Sequence, residues 1–153
     1  MVSVGVSALG RTDLRVVDAG VKINGQHYRD VLLTQNLLPD IRQYSDYYNF
    51  QQDGAPAHSA RDTVQLLTWD FITPSLWPPN SPDLNPVDYR VWGVLQERVY
   101  RENIRTLDEL RQRITEEWER MDQRIINNAA VKQWRQRLCA CVSANGGHFE
   151  HLL

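Results

Sequence analysis

The segment that decides the fold is SPDLNPVDY, at residues 81–89. It ends a proline-rich stretch, WPPNSPDLNP at residues 77–86, whose four prolines argue against regular structure. Asn85, Pro86 and Asp88 then occupy the positions where a helix has its N-cap, its first residue and its third residue. The segment therefore predicts an irregular loop followed by a helix that runs to about Tyr100, with Asp88 in the first turn.

A second informative segment is QQDGAPAH, at residues 51–58. The residues before it, Tyr47 to Gln52, are typical of a strand, and Asp53-Gly54 is typical of a turn. A carboxylate at the end of a strand can face a cleft, but Asp53 as a simple turn residue is an equally good interpretation. Asp88 has a plain structural explanation too, because an acid in the first turn interacts favourably with the helix dipole.

The two segments together, with residues 54–87 as a 34-residue gap between Asp53 and Asp88, resemble the catalytic domain of mariner-like transposases of the Tc/mariner superfamily. In that family an aspartate opens a D-(G/N)-A-x-x-H segment, which Asp53 and His58 match. A final aspartate or glutamate follows the SPDLNP motif, and Asp88 matches it. Residues 1–41 are similar to the family's strand, hairpin and helix region, and residues 146–150 are similar to its C-terminal ending.

The resemblance implies an α/β fold of the ribonuclease H-like type, with a mixed sheet, flanking helices and further helices at the C-terminus. Three carboxylates in this fold bind two divalent ions, and carboxylate oxygens are ligands that Mg²⁺ and Mn²⁺ prefer. By resemblance, Asp53 and Asp88 are catalytic metal ligands for cutting DNA at transposon ends and joining it to a target. The implied partners are transposon-end and target DNA, a homodimer is compatible with the pattern, and the implied compartment is the nucleus.

One part of the family pattern has no counterpart here. The family's first catalytic aspartate lies on the opening strand, upstream of the segment that Met1 to Ser7 resembles, and helix-turn-helix modules lie further upstream. We therefore expect residues 1–153 to be a truncated, partial catalytic domain without its first, central strand. Because this leaves backbone groups of neighbouring strands unpaired, we expect the chain alone to be marginally stable and inactive. Asp13 and Asp18 do not supply the third acid, since the family places no ligand there.

Composition excludes several classes of protein. The chain has 153 residues, of which 42% are hydrophobic and 24% charged, and its net charge is -2, as is ordinary for one globular domain. Its apolar runs fall far short of the roughly 18 residues of a membrane helix, and residues 1–30 lack the charged and apolar regions that are typical of a signal peptide. We therefore expect no membrane association. The resemblance, which implies DNA as the partner, implies no small-molecule substrate. The two cysteines, Cys139 and Cys141, fit a reducing compartment.

Local patterns predict the remaining elements. They are a hairpin of residues 1–7 and 13–17, a helix from Asn24 that Pro39 closes, a helix over residues 58–67, a short strand at Phe71 and Ile72, a helix capped by Thr106 and Glu109, and a helix from about Asp122 that ends near Asn145-Gly146-Gly147.

Other residues have competing interpretations. Asp83 is a weaker rival of Asp88, and His58 fits either a place beside the metal or a local hydrogen bond. Trp77 and Trp92 fit base stacking, although burial is the default for tryptophan. Between Asp122 and Glu150 the only charged side chains are Arg124, Lys132, Arg135 and Arg137. This stretch could contact phosphates, although a solvated helix face is favoured.

A zinc site is disfavoured. Cys139 and Cys141 are two residues apart, so they point in different directions on a helix, and His148 and His151 do not restore a usual spacing.

Two alternative functions stay open. One is a non-catalytic remnant or domesticated protein that keeps the fold for DNA binding or protein association. The other, a general nuclease of the same fold, is disfavoured because the proline motif is specific to transposases.

Overall fold

The computed structural model describes residues 1–67, 71–73, 75–78 and 81–153, with the side chains of residues 130 and 131 excepted. Part of the predicted loop, Pro79 and Asn80, thus lies outside the described residues. The chain divides into two compact units. The first comprises Met1–Gly5 and Arg11–Ser81, and the second comprises Val6–Gly10 and Pro82–Leu153. The expectation of one partial domain over residues 1–153 remains a prediction.

The predicted N-terminal hairpin is present in the first unit but is short. Strand β1 (Val2–Ser3) pairs antiparallel with β2 (Arg15–Val16), so that Val2 lies opposite Val16 and Ser3 opposite Arg15. Beyond β1 a side chain replaces the regular ladder. Gly5 N–H donates to Thr12 Oγ1 at 2.7 Å, while Thr12 N–H donates to the Gly5 carbonyl at 2.9 Å.

The predicted strand over Tyr47 to Gln52 is wrong in its extent. In the part of the chain that the structure describes, it is represented by one parallel bridge between Phe50 and Phe71, where Ile72 N–H donates to the Phe50 carbonyl at 2.9 Å. A strand extends only as far as a partner runs beside it, and the described pairing is confined to this point. The bridge nevertheless fixes the backbone just before Asp53.

Helix α1 of the first unit begins at its predicted N-cap, since Asn24 Oδ1 accepts the His27 N–H at 2.8 Å. Its three consecutive segments, the second with π-type hydrogen bonds, are Gly25–His27, Tyr28–Leu37 and Leu38–Arg42. The prediction that Pro39 closes the helix is wrong. Leu38 N–H donates to the Leu33 carbonyl, five residues back, which is the π-type spacing. The next residue, Pro39, has no N–H, so the helix can change from π-type to α-type bonding at Pro39 without losing a hydrogen bond.

Helix α1 supplies most of the apolar core of the first unit. The buried core residues are Tyr28, Leu32, Leu33, Leu37, Leu38 and Leu67. Helix α2 (Arg61–Leu66) is shorter than the predicted 58–67, because Ala60 has an extended ψ of 136° that a helix does not permit. Residues 56–60 form turns instead, and they carry His58.

The second unit confirms the three predicted helices. They are α3 (Val87–Val91, with π-type bonds, continued by Trp92–Val99), α4 (Leu107–Glu119) and α5 (Gln123–Asn127, Asn128–Gln133 with π-type bonds, and Trp134–Ser143). Single 3₁₀ turns lie at Pro82–Leu84 and Glu150–Leu152. Helix α5 ends as predicted, with Asn145 and Gly146 at positive φ and Gly146 N–H bonded to the Cys141 carbonyl at 2.9 Å.

Helices α3 and α4 are tied together by Arg113. Its Nη1 donates to the carbonyls of Val99 at 3.2 Å and Glu102 at 2.9 Å, so a side chain of α4 satisfies backbone acceptors at the end of α3. The buried apolar residues of the second unit include Leu84, Val91, Leu95, Val99, Trp118, Met121, Ile126 and Phe149. Of the helices described, none combines the length and apolar character that crossing a membrane demands.

Candidate functional site

Asp53 lies in a tight turn directly after the Phe50 bridge. Its Oδ1 accepts the Ala55 N–H at 2.9 Å, which is the local bond expected of a turn aspartate. The side chain remains 50% exposed. Asp53 therefore acts as the turn residue and its carboxylate is also exposed to solvent, while its place in a cleft stays a prediction.

His58 contacts this carboxylate directly. Its Nδ1 lies 2.5 Å from Asp53 Oδ1, so the local hydrogen bond predicted as one alternative is present. The same bond brings His58 beside the candidate metal ligand. His58 lies in the turn before α2 rather than on the helix, with its main-chain N–H donating to the Ala55 carbonyl at 2.9 Å.

A buried pair behind Asp53 was not predicted from the sequence. Tyr28 donates its hydroxyl to Gln52 Oε1 at 2.5 Å, and Gln52 Nε2 donates to the His58 carbonyl at 3.1 Å. The Tyr28 ring also lies against the His58 ring, with 4.2 Å between centroids. Burial, and secondarily the charge of Asp53, raises the pKa of Tyr28, so the phenol stays protonated and keeps donating. Helix α1 thus supports the turn that carries Asp53.

Asp88 lies in the first turn of α3 and is oriented by the predicted cap. Asn85 Oδ1 accepts the Val87 N–H at 3.2 Å, and Asn85 Nδ2 donates to Asp88 Oδ2 at 2.7 Å. The Asp88 N–H in turn donates to the Asn85 carbonyl at 2.9 Å. The favourable position of an acid at a helix N-terminus is therefore combined with a side-chain bond that fixes the carboxylate.

The loop before Asp88 is more regular than predicted. Pro82 opens a 3₁₀ turn, where its missing N–H costs nothing because the first residue of a turn needs no donor. Leu84 is fully buried and anchors the turn. Asp83, the rival ligand, is held through its backbone carbonyl, which accepts from Arg137 Nη1 at 3.0 Å.

Arg137 was predicted only as one member of a positive patch, and the structure gives it a different place. Its guanidinium carbon lies 4.2 Å from the centroid of the Tyr89 ring, and its Nη1 lies 3.5 Å from Glu150 Oε1. The side chain is only 16% exposed, whereas Arg124, Lys132 and Arg135 are exposed. One sequence pattern could have distinguished Arg137 from the other cations of the stretch. Arg137 lies three residues after Trp134 and four before Cys141, so the three residues share one helix face.

The remaining candidates have structural surroundings. Trp77 is buried and Trp92 is partly buried. Cys139 is exposed while Cys141 is buried, and both are free thiols. Asp13 is paired with Arg15 at 3.4 Å.

The donor chemistry of Asp53 and Asp88 fits a divalent ion, since each is an oriented carboxylate with a neighbouring N–H donor that fixes one oxygen. Asp53 belongs to the first unit and Asp88 to the second. Within the described residues, no three His, Cys, Asp or Glu side chains group together as a complete metal site. The two-metal site and the roles of both aspartates therefore remain predictions.

Comparisons with known proteins cover different parts of the chain. Residues 41–111, which include Asp53 and Asp88, match the family model of the DDE superfamily endonuclease. The chain is 31% identical over 128 residues to the transposable element Tc3 transposase of Caenorhabditis elegans. The alignment covers 82% of this chain and 38% of that protein, so the chain spans well under half the length of this relative.

Solved structures show the same likeness in three dimensions. The Mos1 transposase catalytic domain with raltegravir and Mn superposes with a TM-score of 0.78, 22% identity and coverage of 97% of this chain and 76% of that one. The Mos1 transposase paired-end complex with the left transposon end gives a TM-score of 0.75 and 23% identity, over 94% of this chain and 42% of that one. The fold is therefore similar to that of the ribonuclease H-like Mos1 catalytic domain, which agrees with the general fold that the resemblance implied, while the described residues contain a two-stranded sheet rather than the larger mixed sheet. Together, the endonuclease match, the Tc3 likeness and this fold support the interpretation of the chain as similar to a catalytic-domain region of Tc/mariner transposases.

Proposed function

We propose that this chain contributes to metal-dependent cleavage and transfer of DNA strands during DNA transposition, with Asp53 and Asp88 as ligands of Mg²⁺ or Mn²⁺. The observation that carries the proposal is the endonuclease match over residues 41–111, which contains both aspartates. Both are oriented by a neighbouring side chain, Asp53 by His58 and Asp88 by Asn85. The Mos1 structures solved with Mn and with Mg support the choice of metal.

The chain's own residues would supply charge and orientation. Bound divalent ions supply activation of the attacking hydroxyl and stabilisation of the leaving oxygen of a phosphodiester. Asp53 and Asp88 contribute hard, negatively charged oxygens, while His58 and Asn85 restrict how the two carboxylates rotate. No covalent bond between protein and DNA is needed in this scheme.

We further propose that the 153-residue chain, tested alone, is inactive in cleavage. The family pattern requires three acids around the metals, and two match here. The absence of the first, central strand from the folded chain is part of the same proposal. The non-catalytic alternative differs in one respect, because it predicts that loss of Asp88 leaves the binding of partners unchanged.

DNA is the proposed partner, as transposon-end DNA is in the Mos1 paired-end complex. The exposed cations Arg124, Lys132 and Arg135 lie on helix α5 and are candidates for phosphate contacts. Arg137 is not, because its guanidinium is engaged by Asp83 and Tyr89. DNA affinity should then fall steeply as salt rises. A homodimer and a nuclear location complete the proposal.

Titration with Mn²⁺ tests the metal assignment. We expect Asp53→Asn and Asp88→Asn each to weaken Mn²⁺ binding by at least about tenfold. Losing the charge of a metal ligand should reduce affinity at least as much as losing a residue that hydrogen-bonds to a ligand. Asp108→Asn is the matched control, since this carboxylate is 94% exposed on helix α4 and its ion pair with Arg111 is long, at 3.8 Å. Equal affinity in the wild type and Asp88→Asn would show the assignment to be wrong.

A further inference from the structure

Arg137 joins three separate parts of the second unit. Its Nη1 donates to the Asp83 carbonyl at 3.0 Å, its guanidinium stacks on the Tyr89 ring at 4.2 Å, and Glu150 Oε1 lies 3.5 Å from the same Nη1. The Asp83 contact bridges 54 residues of sequence. The side chain of Arg137, on helix α5, therefore contacts the segment that carries Asp88 at two residues, one before Asp88 in the sequence and one after it.

The segment is held at a second point through Tyr89. The Tyr89 hydroxyl donates to the Ala129 carbonyl at 2.6 Å, so its ring is fixed to helix α5 by its edge while Arg137 covers its face. Leu84, fully buried, fixes the backbone between Asp83 and Asn85.

The contacts require arginine rather than any cation. A guanidinium is planar, so it can stack on an aromatic ring with its face and donate hydrogen bonds in its own plane at the same time. The ammonium of lysine is a compact charge without such a plane. Lysine at position 137 would keep the attraction to Glu150 and lose the combined geometry.

We propose that Arg137 is a positioning residue for Asp88. By holding Asp83 and Tyr89, it fixes the turn and the first residues of α3, and so sets the direction in which the Asp88 carboxylate points. The effect on metal binding rests on the proposed function, whereas the effect on the backbone does not.

The test compares Arg137→Ala with Arg135→Ala, a neighbouring and exposed arginine on the same helix. Amide hydrogen exchange is measured for residues 82–91 and, as an internal reference, for helix α4. We expect Arg137→Ala to speed exchange in residues 82–91 about tenfold and to leave α4 nearly unchanged, since one hydrogen bond and one cation–π contact are lost locally. Arg135→Ala should change neither segment.

Two results would overturn the proposal. One is equal exchange in residues 82–91 of Arg137→Ala and Arg135→Ala. The other is equal acceleration in α4, which would assign Arg137 a general structural role. If Arg137→Ala does not fold, Arg137→Lys provides the same comparison, with a smaller acceleration expected in residues 82–91.

Mn²⁺ titration separates this proposal from the proposed function. We expect Arg137→Ala to weaken Mn²⁺ binding several-fold, less than Asp88→Asn does, with Arg135→Ala unchanged. If Asp88→Asn has no effect, the metal assignment fails and the exchange result still decides whether Arg137 fixes the segment. If Asp88→Asn weakens binding and Arg137→Ala does not, the positioning role fails alone.

Discussion

Asp53 and Asp88 are supported in different ways. Asp53 is held by near neighbours in sequence, the Ala55 N–H and His58, with the buried Tyr28 of helix α1 behind them. Asp88 is held by Asn85 at close range and, through Asp83 and Tyr89, by Arg137 at long range. The position of the first carboxylate thus depends on a local turn backed by one helix, and that of the second on the folding of the C-terminal helix.

The largest expected effects on stability come from truncating one buried leucine near each aspartate's supporting residues. Leu33 of helix α1 and Leu84 of the loop before Asp88 are both fully buried. Truncating either to alanine should lower the free energy of unfolding by about 2–5 kcal/mol, through lost burial and the cavity left behind. Urea unfolding measures this, with the more exposed Leu66→Ala as control. A loss no greater than that of Leu66→Ala would contradict the described cores.

Tyr28→Phe tests the support behind Asp53. The change removes one hydroxyl and leaves Gln52 Oε1 buried without its donor, which should cost about 1–3 kcal/mol of unfolding free energy. Tyr47→Phe is the matched control because Tyr47 is highly exposed. If the two variants are equally stable in urea, the buried Tyr28–Gln52 pair does not form.

High pH should act on the same residue. Burial raises the pKa of Tyr28 in the folded chain above its ordinary value, so the folded state binds the proton more tightly than the unfolded state. The resulting stability is complete below about pH 10, the ordinary tyrosine pKa, and is lost as pH rises above it.

Urea unfolding from pH 8 to 11 should therefore show a steeper loss for the wild type than for Tyr28→Phe. Tyr89→Phe should also reduce the slope, because burial raises the pKa of Tyr89 as well. Identical slopes for the wild type and Tyr28→Phe would contradict the burial of this phenol.

The smallest effect should come from a cap in the second unit. Thr106 Oγ1 accepts the Glu109 N–H at 3.1 Å at the start of α4. Thr106→Ala should lower stability by about 1 kcal/mol, and Thr106→Ser should restore most of it, because serine keeps the hydroxyl. Equal stability of the alanine and serine variants would show that the cap is not formed.

The features predicted correctly depend on residues close in sequence. The caps at Asn24, Asn85 and Thr106 all form, since each needs only an acceptor two or three residues before an N–H. The resemblance to the family, and with it the general fold, could be seen because each of its two motifs is a contiguous segment and the gap between Asp53 and Asp88 has the expected length.

The features not predicted depend on tertiary contacts. Nothing local indicates that Tyr28 meets Gln52, 24 residues away, or that Arg137 meets Asp83, 54 residues away. The continuation of α1 through Pro39 was missed because it depends on a local change in hydrogen-bond spacing rather than on helix propensity. The strand before Asp53 was overestimated because strand propensity does not reveal how far a partner extends.

The central proposal is that Asp53 and Asp88 are ligands of one metal site. A double-mutant cycle of Mn²⁺ affinity over the wild type, Asp53→Asn, Asp88→Asn and the double variant tests it most directly. If the two carboxylates share a site, each single change weakens binding by at least about tenfold and the double variant is much less weakened than the sum of the two free-energy losses. Strictly additive losses, or single variants that bind Mn²⁺ like Asp108→Asn, would contradict the account.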